Sequence, residues 1–134
     1  MNSLEMEAMT RVLVVDDEPM VADFVGEVAE DCGYEVGKAR SAVEFYDKYR
    51  SVHPDVVLLD LVLPGVDGVM LLRFLQDEAS QARIVIMSGL GKKVIDAAVR
   101  LGRARGLNMG RSVTKPIELA EFEMLLTRPW ESLE

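Results

Sequence analysis

Two adjacent carboxylates, Asp16 and Asp17, close the apolar run "RVLVVD" at 11–16. A third, Asp60, ends "DVVLLD" at 55–60, and a hydroxyl, Ser88, ends "RIVIMS" at 83–88. An ammonium, Lys115, follows "RSVT" at 111–114. Each has an ordinary reading alone: Asp16 and Asp17 as a solvated loop and helix cap, Lys115 as a surface lysine. Together they have chemistry. Carboxylates about 4 Å apart repel by roughly 4 kcal/mol per pair at an effective dielectric of 20. A hard divalent cation relieves this, and Mg²⁺ favours one or two carboxylates with water and phosphate oxygens. Ser88 can donate to a phosphoryl oxygen, and Lys115 offers a compact cation to an anion. Asp60 is a candidate nucleophile, because carboxylates form acyl phosphates.

These residues act together only if the fold brings them to one place. The three long apolar runs are rich in β-branched residues and unbroken by polar ones, as strands buried on both faces are. Weaker strands are expected at 34–39 and 111–114. Between them lie helical patterns. Met20, Val21, Phe24, Val25, Val28 and Cys32 repeat at threes and fours over 19–32. Ala42, Phe45, Tyr46 and Tyr49 do so over 41–50, with Ser41 as N-cap. Val69, Leu72, Leu75 and Ala79 mark a third helix; Val94, Ala98 and Leu101 a fourth; Leu119, Phe122, Leu125 and Leu126 a fifth. Five alternating units predict an α/β fold, a doubly wound parallel sheet with helices on both faces. Ligands of such sheets bind outside the carboxyl ends of the strands. Asp16, Asp17, Asp60, Ser88 and Lys115 all fall on that edge.

The 134 residues amount to one domain. A net charge of −8 and a pI near 4.7 argue against a basic nucleic-acid-binding face. The lone Cys32 cannot form an internal disulfide, which fits a reducing compartment or is indifferent to it, and a cytoplasmic location is expected. No apolar run approaches the length of a membrane helix. Residues 1–10 read as a leader, 11–127 as the folded unit, and 128–134, with Trp130, as a tail or the start of a linker. His53, before Pro54, reads as an exposed loop residue.

The motifs "VVDDE" at 14–18, "LLDLVLPGVDG" at 58–68, "MSG" at 87–89 and "TKP" at 114–116 resemble those of the receiver domain of two-component response regulators, over residues 11–127. The resemblance implies a flavodoxin-like sheet of five strands in the order 2-1-3-4-5 with five helices. It implies Asp60 as phosphoacceptor, Asp17 as a direct Mg²⁺ ligand and Asp16 as a ligand acting through water. It also implies that the Val62 carbonyl is a metal ligand, that Ser88 and Lys115 contact the phosphoryl group, and that Gly89 leaves it room. Pro64 and Gly68 match the family's loop after the acceptor, and Lys115–Pro116 its cis bond. The implied partners are a sensor histidine kinase or phosphotransfer protein and a downstream effector domain or protein. Direct nucleic-acid contact and a membrane are not expected, and a weak homodimer is left open. The domain would be a switch and not an enzyme, though it assists its own phosphorylation and dephosphorylation.

Two features depart from that pattern. Three residues before the lysine the family carries an aromatic; here stands Ser112. The interval from Ser88 to Lys115 is 27 residues, several longer than usual, and holds Arg100, Arg103, Arg105 and Arg111. An extended fourth helix or an enlarged loop after it would account for the length. The arginines read first as a solvated face. Two other functions compete: a degenerate receiver serving as a phosphorylation-independent binding scaffold, and a Mg²⁺-dependent aspartyl phosphohydrolase. The second would place an acid two residues after its nucleophile, where this chain has Val62.

Overall fold

The computed structural model describes residues 10–127. The leader through residue 9 and the tail at 128–134, Trp130 included, lie outside the described residues. The elements are β1 (Arg11–Val15), α1 (Pro19–Asp31), β2 (Glu35–Ala39), α2 (Ala42–Val52), β3 (Val56–Asp60), α3 (Gly68–Asp77), β4 (Arg83–Ser88), α4 (Lys92–Ala104), β5 (Asn108–Met109), β6 (Val113–Thr114) and α5 (Leu119–Thr127). The strands are all parallel, in the order β2-β1-β3-β4-β5, with β6 joining β5 on the flank of β4 that β3 leaves open. No helix among the described residues is long and apolar enough to cross a membrane.

The expected order and the five helices are present, but the fifth strand is two pieces. β5 pairs with Arg83 and Ile84 at the start of β4, and β6 with Met87 and Ser88 at its end. Between them Gly110 N–H still donates to the Ile84 carbonyl at 2.8 Å. A Cβ on Gly110 would stand 2.9 Å from the Arg83 side chain, so the backbone passes close there. The long Ser88–Lys115 interval is therefore a 13-residue α4 followed by a divided edge strand.

Strand residues alternate between two cores, as the pleat requires. Leu13, Val15, Val57, Leu59, Ile84 and Ile86 pack with Phe45 of α2, Leu71, Leu72 and Leu75 of α3, and Ile95 of α4. Val12, Val14, Val56, Leu58, Val85 and Met87 pack with Ala22 and Val25 of α1 and Phe122, Leu125 and Leu126 of α5. Ser41 caps α2 by accepting from Glu44 N–H at 3.1 Å, and His53 ends that helix exposed, at φ 52°. Half-buried Cys32 closes α1.

The helix stripes were only partly core. Met20 is 85% exposed, and Val69, Val94 and Leu119 are also at the surface. On α4 the residues turned fully inward are Ile95 and Gly102, one position on from the 94/98/101 stripe. Ala79 lies past α3, at φ 51°, and not on its buried face.

Gly68 opens α3 against the segment that follows β3. A Cβ there would meet the Leu61 carbonyl oxygen at 2.9 Å, a backbone atom with little freedom to move. Gly68→Ala is expected to cost about 1–3 kcal/mol in urea unfolding. Gly102→Ala would meet the Met109 thioether, whose flexible chain can re-pack, so its loss should be smaller. The reverse order would show that the Leu61 contact is not what constrains α3.

Candidate functional site

Three strand ends use one local device. The Asp16 side chain accepts from Glu18 N–H at 2.9 Å through Oδ1. Asp60 Oδ1 accepts from Val62 N–H at 2.9 Å, and Ser88 Oγ accepts from Leu90 N–H at 3.1 Å. Each is a bond from a backbone amide to the side chain two residues earlier, the reason short polar residues favour turns. It turns the chain off the sheet while fixing the side chain. Asp16, Asp60 and Ser88 are all buried, and each carboxylate keeps a second oxygen free for another partner.

Lys115 takes both of those oxygens. Its Nζ donates to Asp16 Oδ2 at 2.7 Å and to Asp60 Oδ2 at 2.9 Å. Glu18 Oε1 stands 3.6 Å away as a third anion. The lysine is placed by its own backbone, whose N–H donates to the Ser88 carbonyl at 2.9 Å, and by the cis Lys115–Pro116 peptide that follows. Burial works against the lysine's charge, but the hydrogen bonds and charges of Asp16 and Asp60 outweigh it, and its pKa is raised. Burial pushes the Asp60 pKa up, and the opposing pull of Val62 N–H and Lys115 does not cancel this.

Asp16, Asp17 and Asp60 each bring a carboxylate oxygen within 4.8 Å of the others. At that spacing each pair repels by roughly 3–4 kcal/mol at an effective dielectric of 20. Lys115 supplies one positive charge against three. An all-oxygen donor set of this kind, open on one side, fits a hard divalent cation.

The open side is a cavity of about 450 Å³ lined by Asp17, Glu18, Asp60, Val62, Leu63, Pro64, Gly89, Leu90 and Lys115. Its floor is polar and two of its walls, Val62 and Leu90, are apolar. The Pro64–Gly65 turn, with Gly65 at φ 77°, folds the loop back so that Leu63 bridges Val66. A larger recess of about 600 Å³ adjoins it, bounded by Glu18, Met20, Phe24, Gly89, Lys115 and Ile117.

The structure thus brings Asp16, Asp17, Asp60, Ser88 and Lys115 to one edge, with Val62 and Gly89 beside them. Ser112 lies half-buried in the gap between β5 and β6. Sequence reasoning passed over Glu18 as a partner of Lys115 and over the three amide bonds. The signal for the latter was present: a short polar residue at the end of each apolar run.

A family model described as the response regulator receiver domain matches residues 12–127. A protein-glutamate methylesterase/protein-glutamine glutaminase of Myxococcus xanthus is 38% identical over 112 residues, covering 82% of this chain and 31% of that protein. The chemotaxis protein CheY of Treponema pallidum is 36% identical over 96 residues, covering 69% of this chain and 67% of that one. This chain spans under a third of the methylesterase relative's length. Among solved structures, a response regulator from Colwellia psychrerythraea superposes with a TM-score of 0.77 at 28% identity, covering 89% of this chain and 94% of that one.

Proposed function

The chain belongs to the response regulator receiver domain family, and on that premise we propose that residues 11–127 form a switch that accepts a phosphoryl group on Asp60. The observation that carries this is the Asp60 carboxylate itself. It is buried, held by Val62 N–H on one oxygen and by Lys115 on the other, and it faces a cavity large enough for a phosphoryl group.

In this reading an Asp60 oxygen attacks the phosphorus of a phosphohistidine on a sensor kinase or phosphotransfer protein. The nitrogen–phosphorus bond breaks, and its electron pair returns to the imidazole. Lys115 exchanges its bond to Asp60 for one to a phosphoryl oxygen while Asp16 keeps hold of it. The Ser88 hydroxyl accepts from Leu90 N–H, so its own proton is free to donate to the same group. Mg²⁺, held by Asp17, Asp60 and the Val62 carbonyl with Asp16 acting through water, would neutralise charge on the transferring group. The adjoining apolar recess, with Met20 projecting at its rim, suits the phosphodonor protein. The protein is a cytoplasmic signalling element, not an enzyme, and its output passes to an effector domain or protein.

The phosphorylated form is expected to be long-lived. Hydrolysis needs a water in line with the bond to Asp60, and the side chains facing that approach, Val62 and Leu90, cannot orient one. Label should be lost over many minutes, and faster in Val62→Asn or Leu90→Glu. A half-life of seconds in the wild type, or no acceleration in either variant, would remove these side chains from control of the water.

Beryllofluoride with Mg²⁺ tests the reading as a whole. Amide resonances of 60–63, 88–91 and 110–115 should shift in the wild type and stay unmoved in Asp60→Asn. A degenerate scaffold would show no response in either, and that result would overturn the proposal.

A further inference from the structure

Between α3 and α4, on the sheet face away from α1 and α5, runs a mostly apolar groove of about 250 Å³ lined by Leu61, Val69, Leu72, Leu90 and Val94, with the α3 cap Asp67 at one end. Val69 is 43% exposed, Val94 50% and Leu90 38%. This is where the α4 stripe at 94, 98 and 101 points, one position off the core-facing Ile95 and Gly102. Ala98 and Leu101 of that stripe pack partly against the core, and Val94 is the stripe residue left exposed.

The helices on either side of the groove carry exposed cations, although the charged residue that lines it is Asp67, whose carboxylate accepts from Val69 N–H. Arg73 follows Val69 by one turn on α3, and Lys93 and Arg100 flank the stripe on α4; all three are exposed. Among the described residues no carboxylate pairs with any of them. Asp96 is already held by Lys92 at 3.1 Å. Residues 92–111 carry six cations against that one acid, in a chain whose net charge is −8. Apolar side chains spaced at helical intervals between two helices accept the ridge of a third, and exposed cations on both helices favour anions on its flanks.

We propose that the α3–α4 groove docks an acidic amphipathic helix of a partner protein. The apolar stripe of that helix would lie on Val69, Leu90 and Val94, and its carboxylates would pair with Arg73, Lys93 and Arg100. The assignment does not depend on Asp60 chemistry and holds for the unphosphorylated chain.

The probe is a fluorescent synthetic helix of about 18 residues, five turns, with leucines along one stripe and glutamates on both flanks. Fluorescence anisotropy against the full chain should show saturable binding that weakens as salt rises. Val94→Glu and the double variant Arg73→Glu/Arg100→Glu should each lower affinity about tenfold or more. Met124→Glu, at an exposed site on the opposite sheet face, should change nothing. All of these positions are at the surface, and matching thermal melts exclude unfolding as the cause. Equal binding of a peptide with lysines in place of the glutamates would overturn the proposal, as would full affinity in Val94→Glu. Removal of residues 1–9 or 128–134 that tightened binding about tenfold would assign the groove to the chain's own tail instead. Sedimentation showing a dimer that Val94→Glu dissociates would assign it to a second copy.

Discussion

In Asp60→Asn, acetyl phosphate and Mg²⁺ are expected to leave the protein unlabelled, where the wild type acquires acid-stable, base-labile phosphate. The loss should be complete. Asp16 is fully buried and does not line the cavity that Asp60 faces, so no phosphoryl donor reaches it there. Mass spectrometry of the digested wild type should place the label on Asp60 alone, and persistent label at Asp16 or Asp17 in the variant would refute the assignment. The same substitution should stabilise the unphosphorylated fold. Burial raises the Asp60 pKa above its unfolded value, so the ionised carboxylate costs stability at neutral pH. That cost is present above the folded pKa, and it disappears as the pH falls toward the unfolded value near 3.9. The melting temperature of Asp60→Asn should therefore exceed that of the wild type at pH 7, with the gap closing in acid. A gap that widened in acid would mean that the Lys115 contact, not burial, dominates at Asp60.

Lys115→Ala should have the largest effect on stability. The ammonium is bonded to two buried carboxylates, at 2.7 and 2.9 Å. Its removal leaves Asp16 and Asp60 buried without a counter-charge, a loss of about 3–5 kcal/mol when a buried pair is broken. Mg²⁺ offers these carboxylates a substitute, so millimolar Mg²⁺ should restore more stability to the variant than it adds to the wild type. The lysine pKa is raised in the fold. Its contribution is therefore whole below the unfolded lysine value near 10.4, and it is lost as the pH climbs through the folded one. The difference between wild type and variant should shrink in strong alkali, and also in acid as the raised pKa of Asp60 lets its carboxylate protonate. Urea titrations with and without Mg²⁺ measure all of this. A loss under about 1 kcal/mol would place Lys115 with screened surface pairs.

The sheet was legible because its three central strands are buried on both faces. Such strands are unbroken apolar runs, and "RVLVV", "VVLL" and "RIVIM" show them without ambiguity. The polar residue closing each run marks the edge where the site lies. The divided fifth strand was not legible, since pieces of two residues carry no periodicity and the intervening Gly110 is held by backbone geometry alone. Helical periodicity showed which faces are apolar but not what covers them. Met20, Val69 and Val94 fit their stripes and yet lie at the surface, beside recesses instead of under the sheet. Within the site the residue types were readable, while the wiring was not. That Lys115 spans Asp16, Asp60 and Glu18 depends on distances across 55 to 99 residues of chain, which no local pattern encodes.

The broken strand at the sheet's edge has a consequence for how the protein behaves when concentrated. An uninterrupted outer strand exposes a row of unsatisfied amides and carbonyls that can recruit a strand from a neighbouring molecule and seed fibrils. Here the outer row consists of two rungs, a three-residue detour and two more rungs. Each piece is two residues long, too short to template an incoming chain. At the opposite edge, β2 is a single five-residue strand whose Lys38 turns to α1 and pairs with Asp23 at 3.1 Å. The divided margin of the sheet thus resists polymerisation, and recruitment of a neighbouring strand is confined to the β2 side.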